Sequence, residues 1–279
     1  MGTSASSSGP GSGVPLVPPW VDNVDPETAP DSDHNNNEES DEQQLSSPVI
    51  PVPIALPGRF RDTRSSLGRY AESGDSKNLK NGLRHYSRTG LGGAKTASTR
   101  MKRTAINSGA LYSTLSALRE GSATISDHGI DLDTLRGRSA RDVANKIANV
   151  ISPNDGTQDS EANQRAISQA LTELVAENPD ANLTSLSEDN IIMVIESYIC
   201  NDICQRIELD VGKHIFDKAG SPAVAMQRLD EMSRYVKQCV SVAFRKINDG
   251  GQTMTRDNAT KVASSIIENT FIVFEEYIE

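Results

Sequence analysis

The chain has 279 residues, of which 24% are charged, and a formal net charge of −10. This length is enough for one or two domains. The charges fall into three blocks: residues 1–58 contain nine acids and no Lys or Arg, residues 59–119 contain thirteen bases and three acids, and residues 120–279 contain fifteen bases and twenty-six acids. This asymmetry predicts an acidic arm, a basic region and an acidic body.

Membrane insertion and secretion are not expected. The longest apolar runs, such as residues 191–195, are far shorter than the roughly 18 residues that a spanning helix needs. The chain opens without a basic segment followed by an apolar one, so no signal peptide is expected. Three cysteines, an odd number, are expected to be free thiols in a reducing cytoplasm.

Residues 1–58 are predicted to form a disordered, acidic and Pro-rich tail. Residues 31–44 have almost no apolar content, so burial cannot offset the entropy lost on ordering. Two Pro-rich apolar segments, residues 14–21 and 48–57, flank this stretch, and the first contains Trp20, the only tryptophan. Because proline restricts the backbone, such segments lose less entropy on docking. They are either spacers or docking peptides, for the body of this chain or for a partner.

Residues 59–119 are predicted to form a basic region of two or three short helices joined by glycine turns, because apolar residues recur there at helical spacing. Residues 90–96 are similar to a phosphate-binding loop. That motif, however, needs glycine immediately before the lysine and a buried strand upstream. Here Ala94 precedes Lys95 and a basic helix is predicted upstream, so nucleotide hydrolysis is not expected.

The basic region suggests two kinds of electrostatic contact. Its thirteen bases, with aromatic residues nearby, fit contact with a nucleic-acid backbone. The alternative is pairing with this chain's own acidic arm and body, or with an acidic protein surface, and this second interpretation is favoured. The residues predicted for anion or nucleic-acid contact are Arg84, Arg88, Lys95, Arg100, Lys102 and Arg103.

Residues 120–279 are predicted to form an α-helical bundle domain. Ser139, Ser187 and Ser221 each precede an apolar-periodic segment and are expected to cap helices, and Thr255 is expected to open the last one. A long central helix is predicted from apolar residues that recur at every fourth position: Ile195, Ile199, Ile203, Ile207, Val211 and Ile215. The fold class is therefore all-α: a helical bundle body, a disordered N-terminal tail, and a basic, Gly-rich helical connecting region.

No residue pattern indicates catalysis, a metal site or a cofactor. Cys200 and Cys204 lie too far along the predicted helix from the next candidate ligands to close on one ion, and they are expected to be buried. A solvated charge network is predicted for Asp210, Lys213, His214 and Asp217. Motifs for a nucleophilic serine or a zinc hydrolase are absent from the sequence. A non-enzymatic protein is predicted, and an enzyme whose site assembles only on folding is the alternative.

Several stretches of the chain are similar to one known family. They are residues 1–4, 16–20, 86–94, 109–112 and 209–213, which read MGTS, LVPPW, YSRTGLGGA, GALY and LDVGK. On these stretches the chain resembles the QatB proteins of the bacterial Qat anti-phage defence system. The likeness extends from the N-terminus to the end of the body, except around residues 31–44. These stretches are family signatures rather than catalytic motifs.

The resemblance implies three partners: an ATPase (QatA), a QueC-like enzyme (QatC) and a TatD-like nuclease (QatD). It also implies that the QueC-like enzyme joins a deazaguanine-type group to the N-terminal glycine, so Gly2 would be the modification acceptor. The residues that would hold the tail on QatC are Leu16, Val17, Pro18, Pro19 and Trp20. The alternative function is a nucleic-acid-binding or scaffolding adaptor acting through residues 59–119.

Overall fold

A computed structural model of the chain describes residues 13–17, 54–121, 124–125, 130–131, 135 and 137–277. Its regular structure is helical, apart from an antiparallel pair of two-residue strands, β1 (Thr124–Ile125) and β2 (Ile130–Asp131). The predicted all-α class is confirmed. The predicted disorder of residues 1–58 falls mostly on residues outside those described.

The helices follow one another along the chain with short connections. In the basic region they are α1 (Arg61–Ser73), α2 (Ser76–His85), the π-helical segment π1 (Tyr86–Leu91), α3 (Ala94–Arg100) and α4 (Lys102–Arg119). In the body they are α5 (Ala140–Ile151), α6 (Gln158–Glu177), α7 (Glu188–Ile207), the π-helical segment π2 (Glu208–Gly212), α8 (Lys213–Lys218), α9 (Pro222–Asp249) and α10 (Ala259–Glu275). The prediction of two or three short helices in the basic region is wrong, since α4 alone has 18 residues.

Three predicted helix starts are confirmed by side-chain caps. In each case a serine hydroxyl accepts a hydrogen bond from a backbone N–H three residues later, as an N-cap should; the caps are Ser139, Ser187 and Ser221. The predicted start at Thr255 is wrong, because α10 begins at Ala259. The Thr255 N–H instead donates to Asn258 Oδ1 at 2.7 Å, which holds this residue in a turn before the helix.

The basic region and the body share one hydrophobic core. Its largest fully buried side chains include Tyr70 from α1, Leu115 from α4, Tyr198 from α7 and Phe271 from α10. The sequence boundary at residue 119 therefore separates regions of different charge that are packed together.

Helix α7 is central, and it continues through π2 into α8. The predicted stripe at every fourth position is buried along its whole length: Ile195, Ile199, Ile203, Ile207, Val211 and Ile215. In the part of the chain that the structure describes, no helix combines the length and the apolar character needed to cross a bilayer.

Candidate functional site

Two segments that are distant in the sequence meet at the point where the N-terminal tail reaches the body. Residues 13–17 and residues 54–58 meet in an antiparallel bridge between Pro15 and Ile54, and we call these two segments the tail root. The Gly13 N–H donates to the Ala55 carbonyl at 2.9 Å, and the Ala55 N–H donates to the Val14 carbonyl at 2.8 Å. The ends of the two Pro-rich segments that are farther apart in the sequence are thus joined by backbone hydrogen bonds.

Leu16 fixes the tail root to the helical body. Its side chain is only 9% exposed. Arg100 Nη1, at the end of α3, donates to the Leu16 carbonyl at 2.6 Å, and a hydrogen bond from a charged donor is stronger than a neutral one. On its other side Leu16 packs against Gly92, where an added Cβ would lie 2.7 Å from Leu16 Cδ1. Leu16 is therefore held both by its backbone and by its side chain.

Two glycines of residues 90–93, Gly90 and Gly92, allow close packing. A Cβ on Gly90 would lie 2.6 Å from Phe60 Cε1, and one on Gly92 would contact Leu16. Gly92 also has a φ of +84°, which favours glycine. The loop that is similar to a phosphate-binding loop thus provides room for two apolar side chains.

A continuous stack of side chains leads from the tail root into the body. The Arg59 guanidinium carbon lies 4.8 Å from the centroid of the Phe60 ring. Phe60 in turn stacks on Tyr86, with ring centroids 5.7 Å apart and an angle of 27° between the planes. Tyr86 Oη donates to Asp210 Oδ2 at 2.8 Å. The stack places an arginine and a carboxylate on either side of two aromatic rings.

Tyr86 and Asp210 belong to the two π-helical segments, and their hydrogen bond joins π1 to π2. Such segments are rare and are frequently found at functional sites. The prediction that Asp210 belongs to a solvated charge network is wrong, because the residue is partly buried and contacts Tyr86. The π-helical turn explains the error, since it changes the direction in which side chains leave the helix.

Burial dominates the electrostatics of the site. It raises the pKa of Asp210, although the hydrogen bond from Tyr86 and the nearby arginines act in the opposite direction. Burial and the Asp210 charge raise the pKa of Tyr86, which stays protonated and donates. Burial and the positive charge of Arg100 lower the pKa of Arg59.

A second arginine of low exposure, Arg206, lies in the body on α7. Arg206 Nε donates to Asp202 Oδ2 at 3.1 Å, and its Nη1 lies 3.8 Å from Asp159 Oδ2. Thr104 donates to the same Asp202 oxygen at 2.6 Å. Burial lowers the pKa of Arg206, but the charges of the two aspartates outweigh this effect and raise it. This arginine is thus matched by carboxylates.

The residues predicted for nucleic-acid contact do not form one surface of free charges. Arg88 and Lys95 are exposed, and Arg84 and Lys102 are partly buried. Arg100 is engaged with Leu16, and Arg103 pairs with Asp155 at 3.2 Å. Nucleic-acid binding stays a prediction, and part of this charge is used within the chain.

The predicted tail contacts lie only partly within the described residues. Gly2, Pro18, Pro19 and Trp20 lie outside them. Leu16 packs on this chain's own body, and Val17 is partly buried. Binding of this segment by QatC therefore stays a prediction.

The cysteines are buried as predicted. Cys200, Cys204 and Cys239 are free thiols with at most 4% exposure. The hydrogen bond with Cys200 and burial raise the pKa of the Cys204 thiol, which disfavours the reactive thiolate. Among the described residues, no group of three or more His, Cys, Asp or Glu residues could hold a metal ion.

Sequence reasoning missed Arg59 as a member of the site. The signal available was weak: Arg59 lies two positions after a Pro-rich apolar segment and precedes an aromatic residue at a helix start. Asp210 lies in the stretch LDVGK, which carries a family signature, but nothing in the sequence connects it to Tyr86.

These features define an all-helical protein whose N-terminal segment is anchored on its own body. The family model described as Qat anti-phage system associated protein QatB matches residues 92–274, about two thirds of the chain. The chain belongs to the QatB family and is a component of Qat anti-phage defence. Membership implies other Qat components as partners. No curated protein and no solved structure matches the chain.

Proposed function

We propose that the protein acts without catalysing a reaction, by presenting its N-terminal segment to the QueC-like enzyme QatC. In this proposal the α-amine of Gly2 accepts a deazaguanine-type group. The observation that carries it is the anchoring of Leu16 by Arg100 and Gly92, which gives the N-terminal segment a fixed origin on the body. The free, buried thiols fit action in the cytoplasm, where thiols stay reduced.

Anchoring matters because it limits where the terminal amine can go. Gly13 lies eleven positions after Gly2, and at about 3.5 Å per residue these eleven steps can span at most about 40 Å. A QatC molecule docked on the body within this distance would meet the amine at a high effective concentration. A tail attached farther away would present the same amine less often.

The segment that follows the anchor supplies the proposed QatC contact. Val17 is partly buried beside Leu16, and Pro18, Pro19 and Trp20 come next in the sequence. Such a segment suits recognition by a partner, because tryptophan offers a large contact area and proline restricts the backbone. QatA and QatD are proposed to bind elsewhere on the body.

The test is the intact mass of the N-terminal peptide, taken from cells that carry all four Qat genes and from cells that lack QatC. We expect a mass increase on the peptide that begins at Gly2, and we expect it only when QatC is present. An unmodified Gly2 in cells that resist phage would contradict the proposal.

Two leucines of the tail root provide a matched pair of variants. Leu16 is 9% exposed and Leu56 is 74% exposed. Leu16→Ala removes the buried contact and should lower the modified fraction of the N-terminal peptide severalfold. Leu56→Ala should leave that fraction unchanged. An equal modified fraction in both variants would show that anchoring plays no part.

A further inference from the structure

Arg59 is a buried charge for which the described structure offers no hydrogen-bond acceptor. The residue is 7% exposed, and its Nε, Nη1 and Nη2 atoms all lack an acceptor among the described residues. Buried arginines are normally paired, because an unpaired charge in a low-dielectric interior is strongly unfavourable. The five N–H donors of this guanidinium therefore indicate a missing acidic group.

The charges of the described residues around Arg59 do not supply that group. Arg206 is matched by Asp202 and Asp159. Asp210 is the carboxylate that acts on Arg59, but it already accepts from Tyr86 and also feels the charge of Arg100. Among the described residues, Arg59 and Arg100 thus share one carboxylate, and this part of the structure is at least one negative charge short.

We propose that Arg59 and Arg100 form a binding site for the phosphate group of a small ligand, beside the tail root. A phosphate offers at least three acceptor oxygens and carries one to two charges, so it can engage two guanidinium groups at once. A carboxylate offers two oxygens and carries a single charge, so it is less suited to neutralising two guanidinium groups. This site goes beyond the presentation of Gly2 and does not depend on it.

The site has a structural connection to the tail. Arg100 Nη1 donates to the Leu16 carbonyl, and Arg59 directly follows residues 54–58 of the tail root. A phosphate held by both arginines would therefore link the two segments of the tail root to α3. Ligand binding should strengthen the docking of Leu16.

The experiment titrates inorganic phosphate into purified full-length protein at constant ionic strength, with calorimetry and thermal unfolding as readouts. Phosphate is raised to about 10 mM, which saturates a site with a dissociation constant near 1 mM. We expect saturable binding and a higher Tm for the wild type. Absence of binding by the wild type would overturn the proposal.

Arg59→Met and Arg61→Met are the matched variants. Arg61 is exposed and lies two positions away, so its variant removes the same charge from the surface. Arg59→Met should abolish phosphate binding, whereas Arg61→Met should retain it. Unchanged binding by Arg59→Met would overturn the proposal. If Arg59→Met does not fold, Arg59→Lys takes its place. It keeps the charge without the planar fork of donors and should weaken phosphate binding about tenfold.

Stability without phosphate gives a second readout. If Arg59 lacks its counterion, Arg59→Met should raise the Tm of the phosphate-free protein by about 2 °C or more, because a buried unpaired charge is removed. A purely structural arginine would give a lower Tm instead, and that result would contradict the proposal.

Two further ligands identify the source of the phosphate. If AMP binds about tenfold more tightly than inorganic phosphate, the ligand is a nucleotide. If the two affinities are equal, the ligand is free phosphate. Both results support the site. Acetate that binds more tightly than phosphate would overturn the assignment to a phosphate group.

Discussion

Arg206 and Arg59 are both arginines of low exposure, but the groups around them differ. Arg206, in the body, contacts Asp202 and Asp159, and their charges raise its pKa. Arg59, at the tail root, has a lowered pKa and no acceptor among the described residues. A buried ion pair whose members both belong to one chain is part of the fold, whereas a buried charge without a counterion indicates a binding site for another molecule. The comparison separates a region that maintains the fold from a region suited to binding.

The largest effect is expected in the body. Asp202 is fully buried, and Asp202→Ala would leave Arg206 and Thr104 without their shared acceptor. Breaking a buried pair from one side costs about 3–5 kcal/mol, so the free energy of unfolding should fall by that amount in urea titrations. Asp230→Ala breaks an exposed pair with Arg234 and should cost about 0–1 kcal/mol. Equal losses would contradict the distinction between the two environments.

An intermediate effect is expected at the tail root. Gly92 and Gly156 have φ values of +84° and +82°, but a Cβ would contact Leu16 at Gly92 and nothing within 4 Å at Gly156. Both alanine variants should lose about 1 kcal/mol from backbone strain. Gly92→Ala should lose about 1–2 kcal/mol more and expose the tail root to limited proteolysis, because Leu16 is displaced. Identical Tm values and cleavage patterns would show that Leu16 docking is weak.

The smallest effect is expected where the basic region contacts the body. There Tyr112 on α4 donates a hydrogen bond to Glu188 on α7. This hydrogen bond, with further help from Arg119, lowers the pKa of Glu188 from its usual 4.5. A lowered pKa stabilises the fold above the unfolded-state value, and the contribution is lost as pH falls through the folded-state value. Tyr112→Phe should therefore cost about 1 kcal/mol at pH 7 and less near pH 3, measured by urea unfolding. A cost that does not change with pH would exclude Glu188 as its source.

Local features of the fold could be predicted from the sequence because their causes lie within a few residues. Ser139, Ser187 and Ser221 cap helices through N–H groups three positions away. The buried stripe of the central helix was likewise predictable, because its period is visible in the sequence. Thr255 shows the limit of this approach, since its N–H donates to the side chain of Asn258 and the helix begins only at Ala259.

The candidate site was predictable only in part. Tyr86 and Asp210 are 124 positions apart in the sequence. The direction of each side chain depends on a π-helical turn, which ordinary helical spacing does not predict. Arg59 gains its significance from burial, which depends on packing among distant segments. Leu16 was predicted as a docking residue, and the structure shows that the surface beneath it belongs to this chain.

The paired tail root has a consequence for how this chain can vary. Because residues 13–17 and 54–58 are joined by backbone hydrogen bonds, the 36 residues between them are closed at both ends. The entropy of closing such a loop grows only with the logarithm of its length, and doubling the length costs about 0.6 kcal/mol. Insertions and deletions between residues 21 and 53 should therefore accumulate during evolution with little penalty, while the residues at the junction stay constrained.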